Sequence, residues 1–296
     1  MAKATLSVVF AFVGASACNE PITPLELIDK TRVLAAKVEV AGDATRASPL
    51  PGEDVKVSWL VAAPDPNAAF AYALTACVAK DSASDLPSCA GDAIATAESP
   101  EPASEPPSIA FVAPSDASGD ERLAVLGAVC PAGQSLDAAA GLACSGGSSA
   151  QAVSLDFSMD DGNHPNTNPA FTDAALDDTS LPSDATDAPD CSVLPALKAG
   201  KHRLSVELDP NSRDPLVPVS PGDPTRESLL LSYFVTYGSL DHAFTGIDAG
   251  SNASGGSVIW TVPSHGSEPL LVRLFFVVRD GRGGSDFTER RVCVTP

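Results

Sequence analysis

Four histidines, His164, His202, His242 and His265, and a large excess of carboxylates are the groups through which this chain could do acid–base chemistry. The histidines are scattered singly. Asp241-His242 has the composition of a base beside its orienting carboxylate. Adjacent side chains on a strand point to opposite faces, so the pair is expected to be surface residues and not catalytic ones. The chain contains no G-x-S-x-G, S-x-x-K, H-E-x-x-H or Walker A segment. Gly281-Arg282-Gly283-Gly284 lacks the third glycine of a dinucleotide fingerprint and lies between two apolar runs, which a hairpin turn explains. Carboxylates paired for glycoside cleavage stand roughly 5 to 10 Å apart, a spacing set by the fold. No cofactor is expected.

Calcium is the other chemistry that the acids allow. Asp160 to Asp190 holds eight Asp and no Lys or Arg, and Asp160 and Asp161 are the candidate ligands on composition alone. Met159-Asp160-Asp161-Gly162-Asn163 does not place acids at the alternating positions of an EF-hand loop. Like charges repel and little apolar area is present there, so 159–190 reads first as an acidic linker.

The seven cysteines are Cys18, Cys77, Cys89, Cys130, Cys144, Cys191 and Cys293. Setting Cys18 aside leaves an even number, which in an exported chain reads as three disulfides. Zinc would need closely spaced Cys or His pairs, and none exists. Sequential pairing is expected: Cys77 with Cys89 and Cys130 with Cys144 close short loops, and Cys191 with Cys293 staples both ends of the last module.

Cys18 is set aside because of what precedes it. Lys3 gives a short positive start, Ala4 to Val13 is apolar apart from Thr5 and Ser7, and Gly14-Ala15-Ser16-Ala17 leads into the cysteine. This arrangement resembles the lipobox of bacterial lipoproteins, which implies cleavage before Cys18 and acylation there. The ten-residue run is short of the about 20 that cross a bilayer core. An ordinary secretory signal cut at Ala15–Ala17 is the alternative. By analogy with enteric sorting, Asn19 favours the outer membrane.

The formal net charge is -20 with a pI near 4.3. So acidic a surface opposes a phosphate backbone, and nucleic acid is excluded as a partner. Apolar residues reach 44% but aromatics only 5%, and 26 residues are proline, a balance that suggests turns and small-residue strands.

Two-residue alternation supplies those strands. In Val33–Val40, Leu34, Ala36, Val38 and Val40 share one face and Lys37 and Glu39 the other. Val55, Val57, Trp59 and Val61 form a second strand, with Trp59 in the core. Phe70–Val78, Ile109–Val112, Arg122–Cys130 and Val153–Phe157 follow. Leu204–Leu208, Leu229–Tyr237, Ser257–Val262, Leu270–Val278 and Phe287–Val294 come later, and Leu270–Val278 is apolar enough for a strand covered on both faces. The expected order is a signal peptide (1–17), a tether (18–30), a first β-sandwich (31–158) with a Pro- and acid-rich solvated insert (81–108), the linker (159–190) and a second β-sandwich (191–296).

Pro51-Gly52-Glu53-Asp54-Val55-Lys56-Val57-Ser58-Trp59 resembles the opening of bacterial Ig-like modules. Phe275 to Gly284, with Ser232 to Gly238, is similar to the C-terminal Ig-like or PKD-like module of surface lipoproteins common in myxobacteria, a family without an assigned activity. The resemblance implies an all-β fold of two Ig-like antiparallel sandwiches with long acidic loops. It departs from a true immunoglobulin pattern, since Cys191 and Trp260 are 69 residues apart and no Tyr stands two before Cys293. The function expected is a membrane-anchored, non-enzymatic display, adhesion or envelope-assembly protein, outside the cytoplasm, with a protein or glycan partner. A secreted hydrolase, or its carbohydrate-binding accessory subunit, is the alternative.

Overall fold

The computed structural model describes residues 24–80, 87–117, 121–137, 143–160, 162, 165–183, 191–216 and 226–296. The expected signal peptide, Cys18 and the candidate ligand Asp161 lie outside them. Among the described residues the protein is all-β, with twenty strands, one short 3-10 turn and no α-helix. None of it is a helix long and apolar enough to cross a membrane.

The first module contains β1 (Arg32–Val40), β2 (Asp54–Ala62), β3 (Phe70–Lys80), β4 (Ser88–Cys89), β5 (Ala95–Ala103), β6 (Ser108–Val112), β7 (Arg122–Val129), β8 (Leu136–Asp137), β9 (Ala143–Cys144) and β10 (Gln151–Ser158). The second contains β11 (Phe171–Leu176), β12 (Thr179–Ser180), β13 (Ala196–Leu197), β14 (Gly200–Leu208), β15 (Leu229–Val235), β16 (Ser239–Leu240), β17 (Phe244–Ile247), β18 (Gly255–Val262), β19 (Leu270–Arg279) and β20 (Ser285–Val294). In the first module a sheet ordered β1-β2-β6 faces one ordered β10-β7-β3-β4, with β5 also on β3. In the second, β12-β11-β14-β18-β16 faces β13-β20-β19-β15-β17. Pairing is antiparallel except where β13 runs parallel to β20.

Each sandwich has its own core. Val38, Val57, Trp59, Leu123, Val125 and Phe157 fill the first, and Leu204, Leu231, Tyr233, Trp260, Leu274 and Phe276 the second. The two then stack face to face. Val272, Leu274, Phe276 and Val278 of β19 point into the second core, while Phe275 and Val277 point outward onto Leu34, Ala35 and Ala62 of the first module. Strand β19 is therefore covered on both faces, as its continuous apolar run predicts.

Stacking also covers the free edge of β1. Its carbonyls at Leu34, Ala36 and Val38 accept from Arg279, Ser285 and the Asn168 amide in turn. An unpaired strand edge buried without such partners would leave desolvated polar groups.

Four expectations are corrected. The acidic linker contains a strand: β11 pairs with β14, Ala174 opposite Val206 and Leu176 opposite Leu204, so the second module begins at Phe171 and not at Cys191. Asp177 and Asp178, at φ 48° and 66°, make the tight turn from β11 to β12; acids suit such a turn, and their abundance masks a short strand of small residues. The insert 81–108 contains β5, which pairs with β3 from Ala76↔Ala95 to Phe70↔Ala103. Its prolines are tolerated because it is an edge strand whose outer N–H groups are not needed for the ladder. The tether is shorter than 18–30: Leu27 bridges to Val235, with Ile28 N donating to Val235 O at 2.8 Å and Val235 N to Glu26 O at 2.9 Å. Finally, a bulge between Val33 and Ala35 moves Leu34 out of the first core and into the contact between modules; one extra residue reverses the alternation.

The disulfides are Cys77–Cys89, Cys130–Cys144 and Cys191–Cys293, spanning 12, 14 and 102 residues. By the loop-entropy relation, replacing both Cys191 and Cys293 by Ala is expected to cost about 4 to 5 kcal/mol, and removing either short-loop pair about 3 kcal/mol. Urea unfolding of the three double variants measures this; a larger loss from a short-loop pair would show that loop length does not decide.

Candidate functional site

Beyond the shared apolar patch the modules leave a cleft of about 560 Å³. One wall is the outward face of β2, with Lys56, Ser58 and Leu60; Phe287 and Glu289 of β20 form the other; Tyr72 and Pro106 stand at its end. Two-residue alternation puts these side chains here, because Val57 and Trp59 between them are needed in the first core. Mixed apolar walls with a few placed polar groups at a module boundary are the usual make-up of a ligand site.

Arg273 is the charged group at the base of the cleft and the link between its walls. It is buried, and donates to both Glu289 oxygens, Nε at 2.8 Å and Nη2 at 2.7 Å, and across the boundary to Ala63 O at 3.1 Å. Its guanidinium lies 4.7 Å from the centre of the Phe275 ring, a cation–π contact. Arg291 also reaches Glu289, at 2.9 Å. Lys56 makes no ion pair among the described residues.

The Asp241-His242 pair is placed differently from expectation. It lies between β16 and β17, off any strand, so the alternation rule does not separate the side chains. Asp241 Oδ1 is 2.8 Å from His242 Nδ1, and Thr245 Oγ1 is 3.4 Å from His242 Nε2. Carboxylate, imidazole and hydroxyl thus stand in the order of a nucleophilic triad. Asp241 is turned back by Ile259, whose N–H donates to the same Oδ1 at 2.9 Å. Both acid and imidazole side chains are 46% exposed, where water screens the pair. Thr245, four residues after Asp241, carries no sequence mark that separates it from other strand threonines.

The remaining histidines are engaged structurally. His202 Nδ1 faces Asp177 Oδ2 at 2.7 Å and its Nε2 faces Lys198 O at 2.8 Å, so neither nitrogen is open to a substrate. His265 Nε2 is 2.8 Å from Glu268 O. His164 lies outside the described residues. Asp160, the described one of the two candidate ligands, is buried and accepts from Gly162 N at 2.7 Å. Among the described residues no three Asp, Glu, His or Cys side chains are arranged to hold a metal ion.

A cluster not foreseen from sequence lies at the β19–β20 turn. Glu227 Oε1 accepts from Asp214 N at 2.9 Å, and Arg282 donates to both Asp214 and Glu227. Asp280 Oδ1 accepts from Arg282 N at 2.6 Å and Gly284 N at 3.0 Å. Burial pushes the Glu227 carboxyl up to about 7, against the hydrogen bond from Asp214. Burial raises Asp280 as well. The Asn166 side-chain amide opposes that rise, yet neither Asp280 Oδ2 nor either side-chain polar atom of Asn166 closes a hydrogen bond.

No family model matches the chain, and no curated protein matches it. Among solved structures, latent PorU from Porphyromonas gingivalis is 12% identical with a TM-score of 0.24, the alignment covering 88% of this chain and 24% of that one. A mutant of Salmonella alpha-2-macroglobulin is 14% identical with a TM-score of 0.23, covering 89% of this chain and 15% of that one. The chain thus spans a quarter or less of either protein, and likenesses this slight bear on neither fold nor activity.

Because Arg273 is buried with its partner, Arg273→Met is expected to leave Glu289 to Arg291 alone and the Ala63 carbonyl without its donor, and to cost about 1 to 3 kcal/mol. Arg273→Lys should recover little, since an ammonium cannot make the forked contact and reach Ala63 together. Chemical denaturation measures both; full stability in the Lys variant would show that charge alone suffices.

Proposed function

We propose that the protein is an exported lipoprotein of the outer membrane or cell surface, a display, adhesion or envelope-assembly module without chemistry of its own, which holds a protein or glycan partner in the cleft between its sandwiches. The observation that carries this reading is the cysteine pairing. Three disulfides suit an oxidising compartment, and they use six of the seven cysteines. Cys18 is the one left over, at the end of a lipobox-like segment. Acylation supplies about 0.8 kcal/mol per buried methylene, and one chain binds marginally where two hold firmly. The cleft supports binding by its mixed walls, Leu60, Tyr72 and Phe287 offering apolar and aromatic surface beside Lys56 and Ser58.

Cys18→Ser is expected to move the protein from the membrane to the soluble fraction with all three disulfides intact. Fractionation, with the mass of the N-terminal peptide, reads it. A wild-type protein that is wholly soluble with an unmodified N-terminus would overturn the anchor.

The Asp241–His242–Thr245 arrangement favours one second reading, a secreted hydrolase acting through Thr245 Oγ1. In that case a fluorophosphonate probe should label the wild type at Thr245 and leave Thr245→Ala unlabelled. No labelling of the wild type would remove this reading.

A further inference from the structure

The turn between β19 and β20 gathers charge where water is scarce. Asp214, Glu227 and Asp280 are 8%, 3% and 7% exposed, and Arg282 is the guanidinium that answers them. With all three carboxylates ionised, three negative charges face one positive one. Arg213, alongside, does not make up the difference. It donates to the carbonyl oxygens of Glu227, Ser251 and Asp248 and, among the described residues, to no carboxylate, and burial, then Arg226, disfavours its charge against the attraction of Glu227. Arg46, on the first module's side, is held by Glu53 at 2.7 Å.

The same place joins the modules. Thr167 N donates to Asp214 Oδ2 at 2.9 Å. On either side of Thr167 the chain pairs with a loop of the first module: Ala47 N with Asn166 O at 2.9 Å, Asn166 N with Ser48 Oγ at 2.7 Å, and Asn168 N with Thr45 O at 2.7 Å. Asn166–Asn168 is therefore held between the first module and the buried acids of the second. Gly284 is required beside them, since a Cβ there would come within 2.3 Å of Asp280 Oδ2.

We propose that Asp214, Glu227, Asp280 and Arg282 form a proton-operated joint: with Glu227 and Asp280 neutral the connector is clamped between the modules, and their ionisation loosens it. Neutral acids at these two positions leave Arg282 matched by Asp214 alone. The direction follows from burial, which holds Glu227 near 7 and Asp280 above its ordinary value. A carboxyl whose folded pKa exceeds its unfolded one contributes stability that is fully present below the unfolded value and lost as pH rises through the folded one. The clamp is accordingly tight near pH 5 and weakens through pH 7, opposite to an ordinary salt-bridged carboxylate.

Amide hydrogen exchange on the full protein near pH 5.5 and near pH 8, corrected for intrinsic exchange, tests this. Protection of the Thr167, Asn168, Asp214 and Gly284 amides should fall by roughly tenfold or more at the higher pH, relative to Val206 and Phe276 in the second core. Glu227→Gln and Asp280→Asn should each reduce the difference between the two values. Equal protection of the wild type at the two values, a uniform change across the core amides, or an undiminished difference in both variants would overturn the proposal.

Discussion

A strand with large apolar side chains on both faces cannot stand at the surface of a single sandwich, and that constraint on β19 shapes the molecule. Its inward residues are satisfied by the second core. Phe275 and Val277 face the other way and need a cover, which the β1-β2 face of the first module provides. Burying side chains of this size is worth about 1.5 to 3 kcal/mol each, so modules that their sequence order would make beads on a string become a stack of four sheets.

Polar groups taken into that stack have to be answered, and the answers are specific. Arg279, Ser285 and Asn168 close successive carbonyls along β1, while Arg273 spans the boundary at the cleft. The cleft itself exists because the two sheet faces meet over only part of their width. Its base thus carries the buried Arg273–Glu289 pair. The hairpin segment from Phe275 to Gly284 builds the interface with its aromatic half and the acid cluster with its turn.

Strands whose period was carried by large side chains were legible in the sequence. Val55, Val57 and Trp59 read as one buried face, and Leu270 to Val278 read as doubly covered. The missed elements share a cause. In β11, Ala174 and Leu176 are too few to stand out against Asp173, Asp177 and Asp178; in β5, Ala95 and Ala97 are small and Pro100 and Pro102 mimic a loop. The Leu34 bulge leaves no local mark, because its cause lies in a partner strand and a facing module. The same holds for the site. The meeting of Asp241, His242 and Thr245 depends on where β16 ends, and the cluster of Asp214, Glu227 and Asp280 is assembled from the two sides of the Pro215–Arg226 bridge and the distant β19–β20 turn. Cysteine pairing was readable because loop length constrains it within one chain.

The docking of Glu26–Ile28 on Val235 has a mechanical consequence. That segment precedes the first module in the chain but is bonded to β15 of the second, in the same sheet as the final strand β20. A load applied between the two ends of the described chain therefore crosses β15, β19 and β20 directly, and the 102-residue Cys191–Cys293 bridge ties β20 covalently at the far side of that path. While the docked segment holds, the first module hangs beside the line of force, so tension along the molecule would leave its cleft wall on β2 undrawn.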